Sequence, residues 1–305
     1  MTALSLSDYR HLVALDLPFA TRPAARDDEE AASLVRRVID HLALDPAVPR
    51  RELAGLTYSP DDVAGQRRWL RGALTVRAAK PLPEDVHAWI DAILRHERQA
   101  SPAIDAASLP PVSKTAPRTW FAPAESVALW QGDITHLAAD AIVNAANTQM
   151  LGCFRPLHTC IDNAIHSAAG PRLREDCASI MTTQSHDEPT GLAKITRAYH
   201  LPARFVLHTV GPIVRGPLTT AHTLDLARCY RACLDTASEV DGVRTVAFCA
   251  ISTGVFGFPK REAAGIALRT VGEWMEARPN ALSKVIFNVF TDDDRHVYER
   301  AFAEA

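Results

Sequence analysis

Residues 141–170 read AIVNAANTQMLGCFRPLHTCIDNAIHSAAG. The run at 141–144, apolar up to Asn144, predicts a short strand, and apolar residues then recur at helical spacing over 161–169. Gly170 is the residue type that commonly follows the last turn of a helix. The stretch therefore predicts a strand, a loop and a helix in succession, which is the repeating unit of an α/β fold.

The same alternation continues on both sides of this stretch. Further strands are predicted at 127–130, 194–198, 205–210, 243–251 and 285–290, and further helices at 172–181, 220–240, 261–277 and 294–303. This pattern is typical of parallel strands joined by crossover helices.

The first hundred residues show helical spacing and no strand signal. One helix is predicted over 27–44, a second opens with Ser59 as N-cap and Pro60 in its first turn, and a third opens at 83–85. A shorter helix at 5–15 could complete a bundle with these three.

A proline-rich segment follows the helical region. Five prolines between residues 101 and 123 predict a linker without regular structure. The predicted domains are therefore 1–115, which is helical and includes most of the linker, and 116–305, which is α/β.

Composition excludes several classes of protein. The chain has 305 residues, 47% of them hydrophobic, and no stretch approaches the roughly eighteen consecutive apolar residues of a membrane span. Its 33 basic and 36 acidic residues give a net charge of −3, so no overall positive field favours nucleic acid. The first residues lack the basic and apolar regions of a secretory signal. We expect a cytoplasmic protein without nucleic-acid or membrane partners.

A cluster of cysteine and histidine lies within the opening stretch. Cys153, His158 and Cys160 have the spacing C-x4-H-x-C, and thiolate and imidazole suit Zn²⁺. No fourth cysteine or histidine lies close by, and three protein ligands with an open position are typical of catalytic zinc. Two other interpretations stay open: Cys177 or a distant histidine completes a structural site, or two buried cysteines accompany a capping histidine.

Polar residues follow the carboxyl ends of several predicted strands, where open α/β sheets bind ligands. Asp162 can orient or deprotonate a hydroxyl, or simply favour the start of its helix. Asn147 can bond sugar hydroxyls or serve a turn, and Asp133 can accept from an amine or cap a turn. The glycine-bearing loop 252–259 offers backbone N–H groups to a diphosphate.

These motifs, in this order, resemble a known family. Residues 132–135, 142–147, 160–170 and 252–259 are similar to the successive ligand-binding motifs of macrodomains, which bind ADP-ribose. The insertion at 151–160 resembles that of the zinc-dependent microbial branch, the protein-ADP-ribose hydrolases, and the helical region resembles an amino-terminal extension of some members. The resemblance implies a three-layer α/β/α fold with a mixed, mostly parallel sheet, preceded by a small all-α domain.

The resemblance also implies a role for each motif. Adenine would be held by Asp133 and Ile134, and the diphosphate would be wrapped by Ser252, Thr253, Gly254, Val255, Phe256 and Gly257. The distal ribose would meet Asn147, Asp162 and Asn163, with Ile161 beside them. Zn²⁺, as cofactor, would be held by Cys153, His158 and Cys160. Asn147 and Asp162 would be catalytic.

The implied reaction removes mono-ADP-ribosyl groups from modified proteins by cleaving the bond at ribose C1″. The alternatives are a reader that binds ADP-ribose without turnover, a hydrolase of small derivatives such as O-acetyl-ADP-ribose, and an interaction protein with structural zinc.

Overall fold

The computed structural model describes residues 3–20 and 22–303. Its α-helices are α1 (Leu6–Tyr9), α2 (Asp28–Leu42), α3 (Val63–Val76), α4 (Glu84–Gln99), α5 (Val112–Thr115), α6 (Ile161–Ala169), α7 (Pro171–Gln184), α8 (Thr220–Ser238), α9 (Lys260–Ala277) and α10 (Asp292–Ala303). Its strands are β1 (Ile104–Asp105), β2 (Val127–Gln131), β3 (Leu137–Ala138), β4 (Ala141–Ala146), β5 (Ala193–Arg197), β6 (Phe205–Val210), β7 (Thr245–Phe248) and β8 (Lys284–Val289). None of the described helices combines the length and apolar character that crossing a membrane requires.

Six strands form the central sheet in the order β2, β8, β7, β4, β6, β5. Every neighbouring pair is parallel except β5 with β6. In β6, His208 Nε2 lies 3.8 Å from Cys177 Sγ of α7, while the next residue, Thr209, lies against Cys229 of α8. Successive side chains of a strand point to opposite faces, so α7 and α8 cover opposite faces of the sheet. The predicted α/β/α fold with a mixed, mostly parallel sheet is confirmed.

The predicted strand at 243–251 is longer than the strand in the structure. β7 ends at Phe248, and residues 249–251 already belong to the loop that follows. Cys249 and Ile251 are nevertheless buried. A run of apolar residues indicates burial and not strand pairing as such. Here the buried residues continue beyond the last residue of β7 that pairs with a neighbouring strand, so the predicted strand is too long.

Helices α2, α3 and α4 form a layer with its own apolar core, which includes Val35, Leu70 and Ile90. The predicted start of the second helix at Ser59 and Pro60 is wrong. α3 begins after Asp62, whose Oδ1 accepts a hydrogen bond from Gly65 N at 2.8 Å. A carboxylate N-cap satisfies a free N–H group of the first turn, and Ser59 instead opens the preceding turn.

The short first helix does not complete this bundle, so that interpretation is also wrong. Leu6, Tyr9 and Val13 pack into the core of the sheet domain. Tyr9 Oη accepts a hydrogen bond from the backbone N–H of Ile195 at 2.8 Å, on the edge strand β5. The segment therefore covers an edge that would otherwise present unpaired backbone groups.

We expect Tyr9→Phe to lower the free energy of unfolding by about 1–3 kcal/mol, because it leaves the Ile195 N–H buried without an acceptor. The aromatic ring, which is 1% exposed, is kept. Urea unfolding followed by circular dichroism measures the change. Tyr58→Phe, at a ring that is 38% exposed, is the control. Equal stability of the two variants would show that the hydrogen bond contributes nothing.

The proline-rich segment is not an irregular linker. β1 pairs in parallel with β3, and α5 follows within the same segment. Leu109, Val112 and Phe121 are buried in the core of the sheet domain. Proline restricts regular structure, but the apolar residues between the prolines still gain free energy by burial.

Polar side chains join the helical layer to the sheet domain. Asp91 of α4 lies 2.8 Å from His200 Nε2 and 3.3 Å from an Arg172 Nη atom. Two Arg174 hydrogen bonds reach the end of α3, from Nη1 to the carbonyls of Leu74 at 2.9 Å and Arg77 at 2.8 Å. The helical layer is thus fixed against α7 and the loop that follows β5.

Candidate functional site

A cleft of about 960 Å³ lies at the carboxyl ends of β2, β8, β7 and β4. Loops that leave parallel strands in this direction meet at one edge of the sheet, which is where such folds bind ligands. Residues of α3 and α4 add a further wall at one end. The cleft is large enough for a nucleotide-sized molecule.

Asp133 and Ile134 lie at one end of the cleft, after β2. The carboxylate of Asp133 accepts from the Thr135 backbone N–H at 2.9 Å and from its hydroxyl at 2.7 Å, while the Ile134 side chain is buried. Phe290, just after β8, also lines the cleft with 71% of its surface exposed. This end therefore offers an aromatic face beside a carboxylate.

The loop 252–257 lies between β7 and α9 along the middle of the cleft. The Gly257 N–H donates to the Gly254 carbonyl at 3.0 Å, and a Cβ at Gly254 would meet no atom within 4 Å. Ser252 adopts a φ of 65°, and its buried hydroxyl has no protein hydrogen-bond partner. Phe258 is buried in the core, whereas Phe256 lines the cleft. The loop thus presents open backbone to a ligand.

Cys153, His158 and Cys160 converge at the other end of the cleft. Their ligand atoms lie within 4.8 Å of one another, and Cys153 Sγ is 3.5 Å from His158 Nδ1. Burial raises the pKa of the Cys160 thiol to about 11, and the neighbouring Cys153 adds to this shift. A bound cation would reverse this effect by favouring the thiolates. The donor set and its convergence fit Zn²⁺.

Cys177 does not join this cluster. It lies with His166 and His208 in the core, where these three residues bring ligand-type atoms within 4.8 Å. Both ring nitrogens of His208 are engaged, Nδ1 at 3.2 Å from Asn144 Nδ2 and Nε2 at 3.0 Å from Thr196 Oγ1. Burial lowers the pKa of His208 to about 3 and also lowers that of His166. We interpret the group as a neutral polar part of the core.

Asp162 lies in the first turn of α6, and its side chain is almost completely buried at the cleft. Its Oδ1 accepts a hydrogen bond from Asn144 Nδ2 at 2.8 Å. Burial raises the pKa of Asp162 to about 6, and the hydrogen bond from Asn144 acts in the opposite direction. Because the second N–H of the same amide is directed at His208, Asn144 holds the carboxylate in one orientation.

Asn147 lines the cleft and also shapes the loop that carries Cys153. Its Nδ2 donates to the Gly152 carbonyl at 3.0 Å, while its Oδ1 accepts from the N–H groups of Gln149 at 3.0 Å and Met150 at 3.1 Å. A side-chain amide has two N–H donors, so one donor beyond the bond to Gly152 is left for a ligand.

Asn163 and Ile161 occupy the first turn of α6 beside Asp162. Asn163 is buried and donates from Nδ2 to the His158 carbonyl at 2.8 Å, while its backbone N–H donates to Cys160 Sγ at 3.4 Å. Ile161 packs partly on the core and lines the cleft. The structure thus brings the predicted site residues to the lining of one cleft, with the exception of Gly257, which ends the glycine-bearing loop without lining the cleft.

The contact of one residue of the cleft region was not predicted, and a second residue was missed. Asn144 belongs to the motif 142–147, but its hydrogen bond to Asp162 was not predicted, and a buried amide in the otherwise apolar strand β4 was the available signal. Phe290 directly follows β8 at the same edge as Asp133, so its position after a strand was informative.

Comparison with known proteins agrees with this arrangement. A family model described as the Macro domain matches residues 143–267. A "Protein-ADP-ribose hydrolase" of Treponema medium is 45% identical over 241 residues, which cover 79% of this chain and 89% of the relative. A protein of the same name from Staphylococcus aureus is 45% identical over 233 residues, or 76% of this chain and 83% of the relative.

Solved structures show the same similarity. A Trypanosoma brucei macrodomain in complex with ADP-ribose has a TM-score of 0.57 at 33% identity and covers 75% of this chain and 94% of its own. An Oceanobacillus iheyensis macrodomain with ADP has a TM-score of 0.51 at 36% identity, and the match covers 57% of this chain and 88% of that macrodomain. With relatives this similar over most of their length, the chain belongs to the macrodomain family.

Proposed function

We propose that the protein is a protein-ADP-ribose hydrolase, which binds ADP-ribose along the cleft and removes mono-ADP-ribosyl groups from modified protein side chains. The observation that carries the proposal is that Asp162, held by Asn144, lies beside the cluster of Cys153, His158 and Cys160 at one end of a nucleotide-sized cleft. The names of the relatives from Treponema medium and Staphylococcus aureus support it.

The proposed binding mode follows the cleft from end to end. Adenine binds at Asp133 and Ile134, and we add Phe290 as the aromatic face against which the base stacks. The loop 252–257 and the start of α9 receive the diphosphate, since exposed backbone N–H groups and a helix amino end favour anions.

The distal ribose reaches the other end of the cleft. There Asn147, Ile161, Asp162 and Asn163 surround the sugar. Asp162 accepts a proton from a ribose hydroxyl or from the attacking water, and Asn144 fixes the carboxylate for this step. Water then replaces the acceptor side chain, so ADP-ribose and the unmodified protein are released.

Cys153, His158 and Cys160 would hold a zinc ion at this end of the cleft, and a bound zinc would supply Lewis-acid polarisation of a nearby oxygen. The chain itself prepares the donors, because Asn163 holds both the His158 carbonyl and the Cys160 sulfur.

The test is release of free ADP-ribose from a protein carrying mono-ADP-ribose on aspartate or glutamate, measured by liquid chromatography. We expect turnover on this ester-linked substrate by the purified chain. Tight binding of ADP-ribose without turnover on any linkage would instead indicate a reader. Turnover of O-acetyl-ADP-ribose alone would indicate a hydrolase of small derivatives.

We expect Phe290→Ala to weaken ADP-ribose binding by about 5- to 150-fold, since stacking of a base on an aromatic ring contributes about 1–3 kcal/mol. Isothermal titration calorimetry measures the dissociation constant. The rate at saturating substrate should change little, because the adenine lies at the opposite end of the cleft from Asp162. Leu224→Ala, at an exposed side chain of α8, is the control. Equal affinities of the two variants would contradict the adenine assignment.

A further inference from the structure

The amino-terminal helical layer makes a direct contact with the site. Thr75 of α3 donates its hydroxyl hydrogen to Asn163 Oδ1 at 3.1 Å. Thr75 is 4% exposed and Asn163 is 7% exposed, so the bond is shielded from water. The two residues lie in different layers of the molecule and 88 positions apart in sequence.

Asn163 in turn contacts the cysteine and histidine loop, residues 153–160. Its Nδ2 donates to the His158 carbonyl, and its backbone N–H donates to Cys160 Sγ. If the amide were turned over, its oxygen would face the His158 carbonyl oxygen, which is repulsive. The His158 carbonyl, which can only accept, therefore selects the orientation of the Asn163 amide, and the Thr75 hydroxyl holds the amide there by donating to its oxygen.

The placement of Thr75 is itself fixed by the sheet domain. Arg174 of α7 donates to the carbonyls of Leu74 and Arg77, which flank Thr75 in sequence. These bonds satisfy carbonyls at the end of α3 that the helix leaves unpaired. The Arg174 guanidinium carbon also lies 4.7 Å from the centre of the Phe154 ring, within the cysteine and histidine loop. One arginine thus ties α3 to this loop.

We propose that Thr75 is a positioning residue for the loop from Cys153 to Cys160. Its hydroxyl orients Asn163, and Asn163 holds the backbone and one sulfur of the three donors, so the amino-terminal helices complete the site. The effect on turnover rests on the proposed hydrolase function, whereas the ordering of the loop rests on the contacts alone.

The test compares Thr75→Val, which replaces the hydroxyl by a methyl group, with Thr75→Ser, which keeps the hydroxyl. In the metal-free full chain, we expect amide hydrogen exchange over residues 153–163 to be faster in Thr75→Val and unchanged in Thr75→Ser. Zinc affinity, measured by competition with a chromophoric chelator, should fall about 10- to 100-fold in Thr75→Val only. ADP-ribose release should fall with it and be restored in Thr75→Ser.

Thr270→Val is the matched control, because Thr270 is equally buried but lies in α9, outside the residues that line the cleft. If Thr75→Val proves unstable, Thr75→Ala removes the same hydroxyl without adding a methyl group. Unchanged exchange and zinc affinity on loss of the hydroxyl would overturn the proposal, as would an equal defect in Thr75→Ser. A wild type without turnover would refute the hydrolase function, while the exchange comparison would still decide the role of Thr75.

Discussion

Asp162→Asn is expected to release ADP-ribose from a modified protein about 100- to 10,000-fold more slowly than the wild type, the range that proton transfer by a positioned group contributes. An amide keeps an oxygen for the hydrogen bond from Asn144 but cannot accept a proton from water or a ribose hydroxyl. The expected loss is therefore in the rate at saturating substrate, with affinity for ADP-ribose nearly unchanged.

The fold should tolerate this substitution. Burial raises the pKa of Asp162 to about 6, which means that the folded environment already disfavours the charged carboxylate. Single-turnover kinetics and calorimetry separate the rate from the affinity. Glu29→Gln is the matched control, since it also neutralises an acid in the first turn of a helix, but at an exposed position on α2, which does not line the cleft. A rate within threefold of the wild type would exclude Asp162 from the chemistry.

Cys153→Ala is expected to remove zinc from the purified protein and to reduce turnover by at least about 100-fold. Two remaining donors bind a metal ion far more weakly than three converging donors, and the lost ligand is a thiolate. Mass spectrometry of the metal content, the melting temperature and ADP-ribose release are measured on the same preparation.

These measurements separate a catalytic from a structural metal. A folded, zinc-free variant without turnover supports a metal at the reacting sugar, and chelation of the wild type followed by zinc addition should lower and restore the rate. If the variant loses its folded structure as well as its zinc, the metal site is structural. Full turnover without zinc would remove the metal from the mechanism. Cys229→Ser, at a buried thiol that donates to the Val210 carbonyl, should keep its zinc.

The elements of the sheet domain could be predicted from sequence because their signals are local. The strand at 205–210 and the helix at 161–169 have the bounds that the pattern indicates. The prediction of an irregular linker in the proline-rich segment was wrong for the opposite reason. Proline content reports local backbone preference, whereas the burial of Leu109 and Phe121 depends on a distant sheet.

Some features of the candidate site could likewise be predicted from the sequence, and others could not. The sequence by itself determined which donors and acids are available, since Cys153, His158, Cys160 and Asp162 lie within ten residues of one another. Only the tertiary structure decided what holds them. Asn144 reaches Asp162 from a neighbouring strand, and Thr75 reaches Asn163 from a helix 88 residues earlier.

The physical reason is that periodicity and turn residues record interactions between near neighbours in the chain. Hydrogen bonds between distant residues leave no such repeat. They depend on the order of parallel strands in the sheet and on how a separate helical layer docks against it, and both are decided by burial of apolar surface across the whole chain.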